Sequence, residues 1–215
     1  MAQSNASPSS LTNGVALAQS RSFHHGNLRQ ALLEAALAAP DIEGLSLRQI
    51  AIGLGVTAAA AYRHFESREA LLDEVARIGF DRLEARFGGA FDISSPPCDA
   101  TEARSRMQRL AHAYLQFADD EPALWRLLFG VQGASYRAAV RIQHRRSSYD
   151  YLPAALMGLH RTGVIDKEPD ARDALFAWSA IHGAASLRNG QIVPALVEVN
   201  QLAQEVAQRV IRSLQ

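Results

Sequence analysis

The chain has 215 residues, of which 48% are hydrophobic and 20% are charged, and its 22 basic and 22 acidic residues give a net charge of zero. This composition is typical of a globular protein with ample material for a core, and the neutral charge counts mildly against nucleic-acid binding. No apolar run approaches the ~18–20 residues that span a bilayer, the N-terminus lacks a secretory signal pattern, and the single Cys98 excludes an internal disulfide, so we expect a reduced protein of the cytoplasm without a membrane segment.

Residues 1–22 are rich in Ser, Ala, Asn and Gln and predict a disordered tail. His24 and His25 come next, but no carboxylate or third ligand lies near them, so we expect no metal. Asn27 can cap a first helix that runs to Ala39 and ends at Pro40. The apolar residues of this helix that would face inward are Leu28, Ala31, Leu32, Ala35 and Ala36.

The segment from Leu47 to Phe65 (LRQIAIGLGVTAAAAYRHF) predicts two short helices joined by a glycine turn. Ile50, Ala51 and Leu54 form one apolar face at helical spacing. Ala51 is small enough for a second helix to cross closely, and Gly55 can adopt the positive φ of a tight turn. The pattern therefore fits a helix-turn-helix, and it fits an ordinary pair of packed helices equally well.

The second short helix carries the observation that favours DNA. Thr57 can cap it with its hydroxyl, and its exposed end carries Tyr62, Arg63 and His64, where a solvated face would usually carry Glu and Lys. In a helix-turn-helix, this second helix enters the major groove.

Two further helix starts have recognisable caps. Ser46 and Gln49 match a capping box before the first helix of the pair. Ser67 caps a longer helix that starts at Arg68 and ends where Gly, Ser and Pro accumulate in residues 88–99. Its apolar stripe consists of Leu71, Leu72, Val75, Ile78 and Leu83.

The remaining chain predicts further helices and no strand. A helix after residue 100 has the apolar stripe Ala103, Met107, Leu110, Tyr114 and Phe117. Pro122 opens a short helix, and a longer helical region reaches Leu159 with an interruption near residues 149–153. A helix starting at Pro169-Asp170 has the stripe Ala171, Leu175, Trp178, His182 and Ala185. The last helix, from Ala195, has the stripe Leu196, Val199, Ala203, Val206 and Val210.

The run from Phe23 to Val75 resembles the DNA-binding domain of the tetracycline-repressor (TetR) family of bacterial transcription factors. SLRQIA, LGV, YRHF and SREALL carry the resemblance, in the family's order and spacing. Two departures stand out: the segment between Ala39 and Leu45 is short, and Ala59 replaces a common proline. PALWRLLFG and AWSAIHGAASL are similar to a TetR regulatory-domain subgroup with a Trp followed by His-Gly.

This resemblance implies a set of DNA contacts. Tyr62 and His64 would bond phosphate oxygens, a charged Arg68 at a helix start would offer a further phosphate site, and Arg48 could read a guanine. Thr57 could serve as a cap only, and Ala58 and Ala59 could make only apolar contacts. The full set of expected DNA-binding residues is Arg48, Thr57, Ala58, Ala59, Tyr62, Arg63, His64 and Arg68.

An aromatic cluster is the candidate ligand site. Its predicted residues are Tyr114, Trp125, Phe129, Trp178 and His182, with His182 as a polar anchor in an apolar pocket. The alternative is that these side chains form only core. Neither G-x-S-x-G nor H-E-x-x-H occurs, and the glycines form no phosphate-binding loop, so we expect neither an enzyme nor a cofactor.

These observations predict an all-α protein with four parts: a disordered tail (1–22), a helix-turn-helix domain (23–67), a connecting helix (68–90) and a regulatory and dimerisation domain (91–215). The expected function is a ligand-responsive transcriptional regulator, a repressor, that binds palindromic double-stranded DNA as a homodimer. Its last two helices would hold the dimer together, and a small apolar or aromatic effector would release it from DNA. The alternative is a helical, dimeric interaction module without specific DNA binding.

Overall fold

The structure is a computed structural model that describes residues 28–130, 133, 148–192 and 197–215. The expectations for the tail, for Asn27 and for Leu196 lie outside these residues. Nine α-helices are described: α1 (Leu28–Leu37), α2 (Leu47–Gly53), α3 (Ala58–Tyr62), α4 (Arg68–Ala90), α5 (Ala100–Asp120), α6 (Pro122–Phe129), α7 (Tyr151–Arg161), α8 (Ala171–Asn189) and α9 (Val199–Ser213). A short 3-10 turn, Ser148–Asp150, precedes α7. The described residues contain no strand, and the all-α prediction is confirmed.

Helices α1 to α3 enclose a small core beneath the helix-turn-helix. Ala51 on α2 and Ala61 on α3 are fully buried, which lets the two helices cross closely, and Phe65 closes the core from below. Gly55 has a φ of +72°, the left-handed conformation that the turn requires. The Thr57 hydroxyl accepts a hydrogen bond from the Ala60 amide at 3.2 Å, so both the turn and the cap were predicted correctly.

Two local expectations for this domain are wrong. Helix α1 ends at Leu37, three residues before Pro40. Ser46 precedes α2 with an extended backbone, but its side chain makes no capping hydrogen bond, so there is no capping box. The Arg68 side chain instead holds the loop before α2, through the carbonyl oxygens of Glu43 and Leu45. Such a contact spans more than twenty residues, beyond the reach of a local sequence pattern.

Helix α4 runs continuously from the helix-turn-helix into the larger domain. The Ser67 hydroxyl accepts from the Ala70 amide at 3.0 Å, as predicted. The helix runs through two glycines and ends at Ala90, the end given for the predicted connecting helix. Phe87 and Phe91, four residues apart and both buried, hold this last turn in place. Burial of the flanking aromatic side chains thus outweighs the low helix propensity of glycine.

Helix α5 is the centre of the larger domain and packs against α4, α6, α7, α8 and α9. All five residues of its predicted stripe are buried. Helix α6 begins with Pro122 in its first turn and crosses α4 at Gly79. A Cβ atom at Gly79 would lie 2.9 Å from Leu124 Cδ1 and 3.1 Å from Leu128 Cδ1, so the glycine permits this close crossing.

The buried faces of the last two helices differ from their predicted stripes. Helix α8 buries Ala177, Ile181 and Ala185, whereas the predicted Leu175 is 63% exposed. Because α8 carries apolar residues around most of its circumference, spacing alone does not single out its inner face. Helix α9 buries Ala203, Ala207, Val210 and Ile211, while Val199 and Val206 are half-buried against the same core.

Candidate nucleic-acid interface and internal cavity

The predicted DNA-contacting side chains lie at the start of α2, on α3 and its cap, in the residues after α3 and at the start of α4. Arg48, Thr57, Ala59, Arg63 and His64 are exposed. Tyr62 is 48% exposed and accessible to a partner. Ala58 and Arg68 are half-buried. Of the four consecutive alanines of α3, Ala61 is fully buried and the other three are exposed or half-buried.

Arg68 is less available than the sequence indicated. Its Nε donates to Leu45 O at 2.7 Å, one of its terminal nitrogens bonds Glu43 O, and another lies 3.4 Å from Glu69 Oε1. The guanidinium therefore ties the start of α4 to the loop before α2. In this arrangement, Arg68 orients the helix-turn-helix, and a phosphate would have to compete with two carbonyl oxygens for it.

Ile52 is a surface feature that the sequence argument did not single out. It is 65% exposed on α2, one helical turn after Arg48. Its exposure could have been predicted, because Ile52 lies outside the apolar stripe of Ile50, Ala51 and Leu54. An exposed apolar side chain beside an arginine provides van der Waals contact where a polar residue would be expected.

The larger domain contains a cavity of ≈ 400 Å³ between α4, α5, α7 and α8. This volume lies within the range of roughly 300–1,000 Å³ that is usual for small-molecule sites. Its described lining is apolar and aromatic, with the hydroxyl groups of Ser148 and two tyrosines. The lining residues are Phe87, Leu110, Tyr114, Ser148, Tyr149, Leu152, Pro153, Ala171, Ala174, Leu175, Trp178 and Ile181.

The five predicted ligand residues form a single cluster, but only two of them line the cavity. The His182 ring is nearly parallel to Trp125 and Trp178, at centroid distances of 5.2 and 5.6 Å. Phe129 contacts Tyr114 and Trp178 edge-on or tilted, at 5.6 and 5.8 Å. Tyr114 and Trp178 face the cavity, whereas Trp125, Phe129 and His182 are not among its described lining residues.

Hydrogen bonds give His182 a different place from the predicted one. Trp125 Nε1 donates to Tyr114 Oη at 3.1 Å, and Tyr114 Oη lies 2.7 Å from His182 Nδ1. Because an indole N–H can only donate, the Tyr114 oxygen accepts from it and has its own proton for His182. His182 thus supports a cavity wall through Tyr114 and does not line the cavity itself. The sequence predicted that these residues form one cluster, but it could not predict which of them line the cavity and which lie behind its wall.

Comparisons with known proteins agree with this arrangement of two domains. Residues 32–75 match the family model described as bacterial regulatory proteins, tetR family, and residues 107–214 match a tetracyclin repressor-like C-terminal domain. The second match alone covers half of the chain. The chain belongs to the TetR family. Members of this family are transcription regulators with a DNA-binding helix-turn-helix and are generally not enzymes.

Solved structures share this fold over nearly the whole chain. A protein of unknown function from Rhodococcus sp. RHA1 is 31% identical, with a TM-score of 0.70 over 90% of this chain and 98% of that one. The TetR family regulator PfmR from Thermus thermophilus is 19% identical, with a TM-score of 0.62 over 86% and 99%. The ketosteroid transcriptional regulator KstR2 of Mycobacterium tuberculosis is 21% identical, with a TM-score of 0.57 over 88% and 96%. No curated protein matches this chain.

Two features are absent from the described residues: a membrane-spanning helix and a cluster of metal ligands. None of the helices there combines the length and the apolar character needed to cross a membrane. No group of three or more His, Cys, Asp and Glu side chains in the same part of the chain could hold a metal ion.

Proposed function

We propose that this chain is a ligand-responsive repressor that binds a palindromic operator as a homodimer and leaves it when a small apolar or aromatic effector binds. The observation that carries the proposal is the presence, in one chain, of an exposed helix-turn-helix surface and an apolar cavity of ≈ 400 Å³, both in contact with α4. DNA binding and responsiveness to ligands are typical of the family.

Side-chain exposure supports two roles for the proposed DNA-contacting residues: reading a base and bonding phosphate oxygens. Arg48 is the candidate for reading a base, because arginine can bond guanine O6 and N7 together. Tyr62, Arg63 and His64 would bond phosphate oxygens, which fix the position of the protein without reading the base sequence. Thr57 can donate its hydroxyl proton to a phosphate while its oxygen caps α3.

The alanines of α3 limit direct reading of the bases. Ala58 and Ala59 offer only methyl groups, which suit thymine methyls, and Arg68 contributes mainly by holding the loop before α2. Specificity would therefore depend on Arg48, on the phosphate framework and on the shape of the DNA.

Exposed apolar side chains support a dimer through α8 and α9. Phe176 and Leu187 on α8 are 49% and 44% exposed, although both are large and apolar. Gly183 lies between them, and no atom of the described residues lies within 4 Å of the position that a Cβ would take there. A partner helix could approach closely at this glycine, and a two-fold axis would then bring the same surface of each subunit together.

The cavity supports an uncharged effector rather than a metal or a cofactor. Tyr114 and Trp178 would form its aromatic wall, with Trp125, Phe129 and His182 as the support behind them. Helix α4 reaches the cavity at Phe87, so a shift there would change the spacing of the two recognition helices. That spacing must be roughly 34–36 Å for both half-sites to be bound.

Selection of DNA from a random pool by the full-length protein tests the first half of the proposal. We expect a site with two-fold symmetry, and binding that weakens with salt as phosphate contacts require. A screen of apolar and aromatic compounds tests the second half, and we expect a hit to raise the melting temperature and to lower the affinity for the selected DNA. By linkage, the same compound should bind the DNA complex more weakly than the free protein.

The alternative is a helical dimer without specific DNA binding, and the alanine-rich α3 is the observation in its favour. A dimer that enriches no sequence from the pool would support this alternative. A variant with Arg48→Ala and Tyr62→Ala provides the control, because it should lose DNA binding and keep the response of its melting temperature to the compound.

A further inference from the structure

Arg126 on α6 joins the two domains through its guanidinium. Its Nη2 donates to Pro40 O at 3.0 Å, in the loop between α1 and α2. Its Nη1 donates to Asn189 Oδ1 at 3.1 Å, at the last residue of α8. One side chain thus contacts the helix-turn-helix domain and the end of a helix that lines the cavity. Arginine suits this position because its planar fork holds two acceptors at once.

Asn189 extends the contact into the larger domain. Its Nδ2 donates to Ala118 O on α5 at 3.2 Å and lies 3.4 Å from Pro122 O at the start of α6. The ends of α5, α6 and α8 therefore meet at one amide side chain. Five residues of α8 line the cavity, so a change in the position of α8 reaches Arg126 through Asn189.

A second route connects the cavity to Arg126 through α6 itself. Trp125 precedes Arg126 and donates to Tyr114 Oη, and Tyr114 lines the cavity. Phe129 packs against Trp178, which also lines it. A Cβ on Gly130, the residue after α6, would lie 3.3 Å from Glu43 Oε1, so the end of α6 lies near the loop between α1 and α2 at a second point.

We propose that Arg126 is the positioning residue that transmits occupancy of the cavity to the loop between α1 and α2. This inference rests on the proposed function, because it requires a ligand in the cavity, and it adds a route other than α4. A ligand that displaces Tyr114 or Trp178 moves α6, and Arg126 carries that movement to Pro40. The same loop leads directly into α2, which presents Arg48 to DNA.

Hydrogen exchange of the full-length protein, followed by mass spectrometry, tests this route without a known effector or operator. The probe is N-phenylnaphthylamine, a neutral aromatic fluorophore whose size suits the cavity. In the unmodified protein, we expect the probe to slow amide exchange in α8 and to change exchange of residues 41–46 by about fivefold, the lower end of typical coupling between sites.

Arg126→Lys and Arg126→Ala should keep the slowed exchange in α8 and lose the response of residues 41–46. Lysine keeps the charge but cannot hold both acceptors in one plane, so its failure would assign the effect to the guanidinium geometry. Asn189→Ala should weaken the response from the other end of the contact. Arg104→Ala, an exposed arginine on α5, is the matched control and should respond like the unmodified protein.

A second arm replaces the probe by a side chain. Ala174→Phe places a ring in the cavity, and we expect it to change exchange of residues 41–46 in the absence of any compound. The change should disappear when Ala174→Phe is combined with Arg126→Ala and compared with Arg126→Ala alone. A purely structural role of Arg126 would alter stability in every variant but would leave this difference in response intact.

The possible outcomes separate the inference from the proposed function. If the probe protects α8 and residues 41–46 still respond in the Arg126 variants, the inference is wrong and the ligand site stands. The inference is also wrong, and the ligand site again stands, if the probe protects α8 but exchange of residues 41–46 in the unmodified protein does not change. If the probe does not protect α8, the proposed ligand site fails for this class of compound, and the Ala174→Phe pair decides the inference on its own.

Discussion

Thr57 shows how a single side chain can serve both the fold and the proposed function. Its hydroxyl oxygen accepts from the Ala60 amide, which leaves its proton available to another acceptor. Interactions of this kind can be predicted from a sequence, because Thr57, Gly55 and Ser67 each lie within three residues of the helix start or turn that they stabilise. Their roles could therefore be predicted.

Replacement of Thr57 should separate its two roles. Thr57→Val keeps the shape but removes the acceptor, and we expect the free energy of unfolding to fall by about 1 kcal/mol, typical of a lost N-cap. Thr57→Ser is the matched control and should keep both stability and DNA affinity. Urea unfolding and DNA titration would measure the two effects. Unchanged stability in the valine variant would contradict the capping role.

Tyr62 and Arg48 should differ in how their loss affects DNA binding. Tyr62→Phe removes only the hydroxyl, and we expect affinity to fall equally for all sequences because a phosphate contact carries no base information. Arg48→Ala should relax the preference at one base pair, at a cost of about 1–3 kcal/mol there. Titration of the selected site and its single-base variants gives both patterns. A loss with Tyr62→Phe that depends on the base would refute its assigned role.

Arg68 and His182 show where prediction from the sequence stops for single residues. The two carbonyl partners of Arg68 lie 23 and 25 residues away, and Tyr114, which is hydrogen-bonded to His182, lies 68 residues away. No local pattern encodes such pairs. The sequence therefore grouped His182 with its aromatic neighbours, but it did not predict the hydrogen bond to Tyr114 or the contacts of Arg68.

Among the helices, α5 and α8 mark the two limits of prediction from periodicity. Helix α5 has a charged face and an apolar face, and all five residues of its predicted apolar stripe are buried. Helix α8 is apolar on several faces because it meets the core, the cavity and an exposed surface. The spacing of the apolar residues predicts these faces, but it does not predict which neighbour each face contacts.

The exposed face of α8 provides a sharper test of the dimer than the residues suggested by the sequence stripe. Val199 and Val206 on α9 are half-buried in their own core, so charges there would endanger the fold. Phe176→Glu together with Leu187→Glu should instead give a folded monomer, because two unpaired charges would be buried at the interface. Analytical ultracentrifugation at micromolar concentration and circular dichroism would measure mass and helicity.

Ile52→Glu is the control for this experiment, since Ile52 is equally large and 65% exposed but lies on α2. It should remain dimeric. A dimer that persists in the α8 variant would place the interface elsewhere.

For the molecule as a whole, the contacts around α4 hold the two domains in one arrangement. Besides the crossing at Gly79, Arg82 pairs with Glu121, and Arg86 Nη1 lies 2.8 Å from Asp120 Oδ2. The sequence predicted that α4 would run into the larger domain without a flexible break. It could not predict these ion pairs, because α5 returns to α4 only after a turn whose direction depends on the packing of the whole domain.

Asp120 should make stability depend on pH. A hydrogen bond from Gln116 and the neighbouring Arg86 lower the pKa of Asp120 in the folded protein. Its stabilising effect is therefore complete above its unfolded pKa of about 4 and is lost as the pH falls through the lower folded value. Asp120→Asn should lower the melting temperature near neutral pH, by the equivalent of less than about 1 kcal/mol for so exposed a pair.

The difference between Asp120→Asn and the unmodified protein should vanish in acid, below the folded pKa. Asp73→Asn on α4 is the control, because Asp73 is exposed and has no hydrogen bond or ion pair within the described part of the chain. Thermal unfolding across the acid range would measure both variants. A difference that persists unchanged at low pH would show that the asparagine acts through packing rather than charge.

The four alanines of α3 have a consequence for how the regulator finds its operator in a cell. Each base-reading side chain penalises a wrong base pair by about 1–3 kcal/mol, and a genome offers on the order of 10⁶–10⁹ competing sites. If α3 is the recognition helix, as proposed, its methyl groups leave few such penalties per half-site, and the operator would exceed its competitors by a small margin. We therefore expect occupancy of the operator to follow the number of protein copies in the cell as closely as it follows the intrinsic affinity.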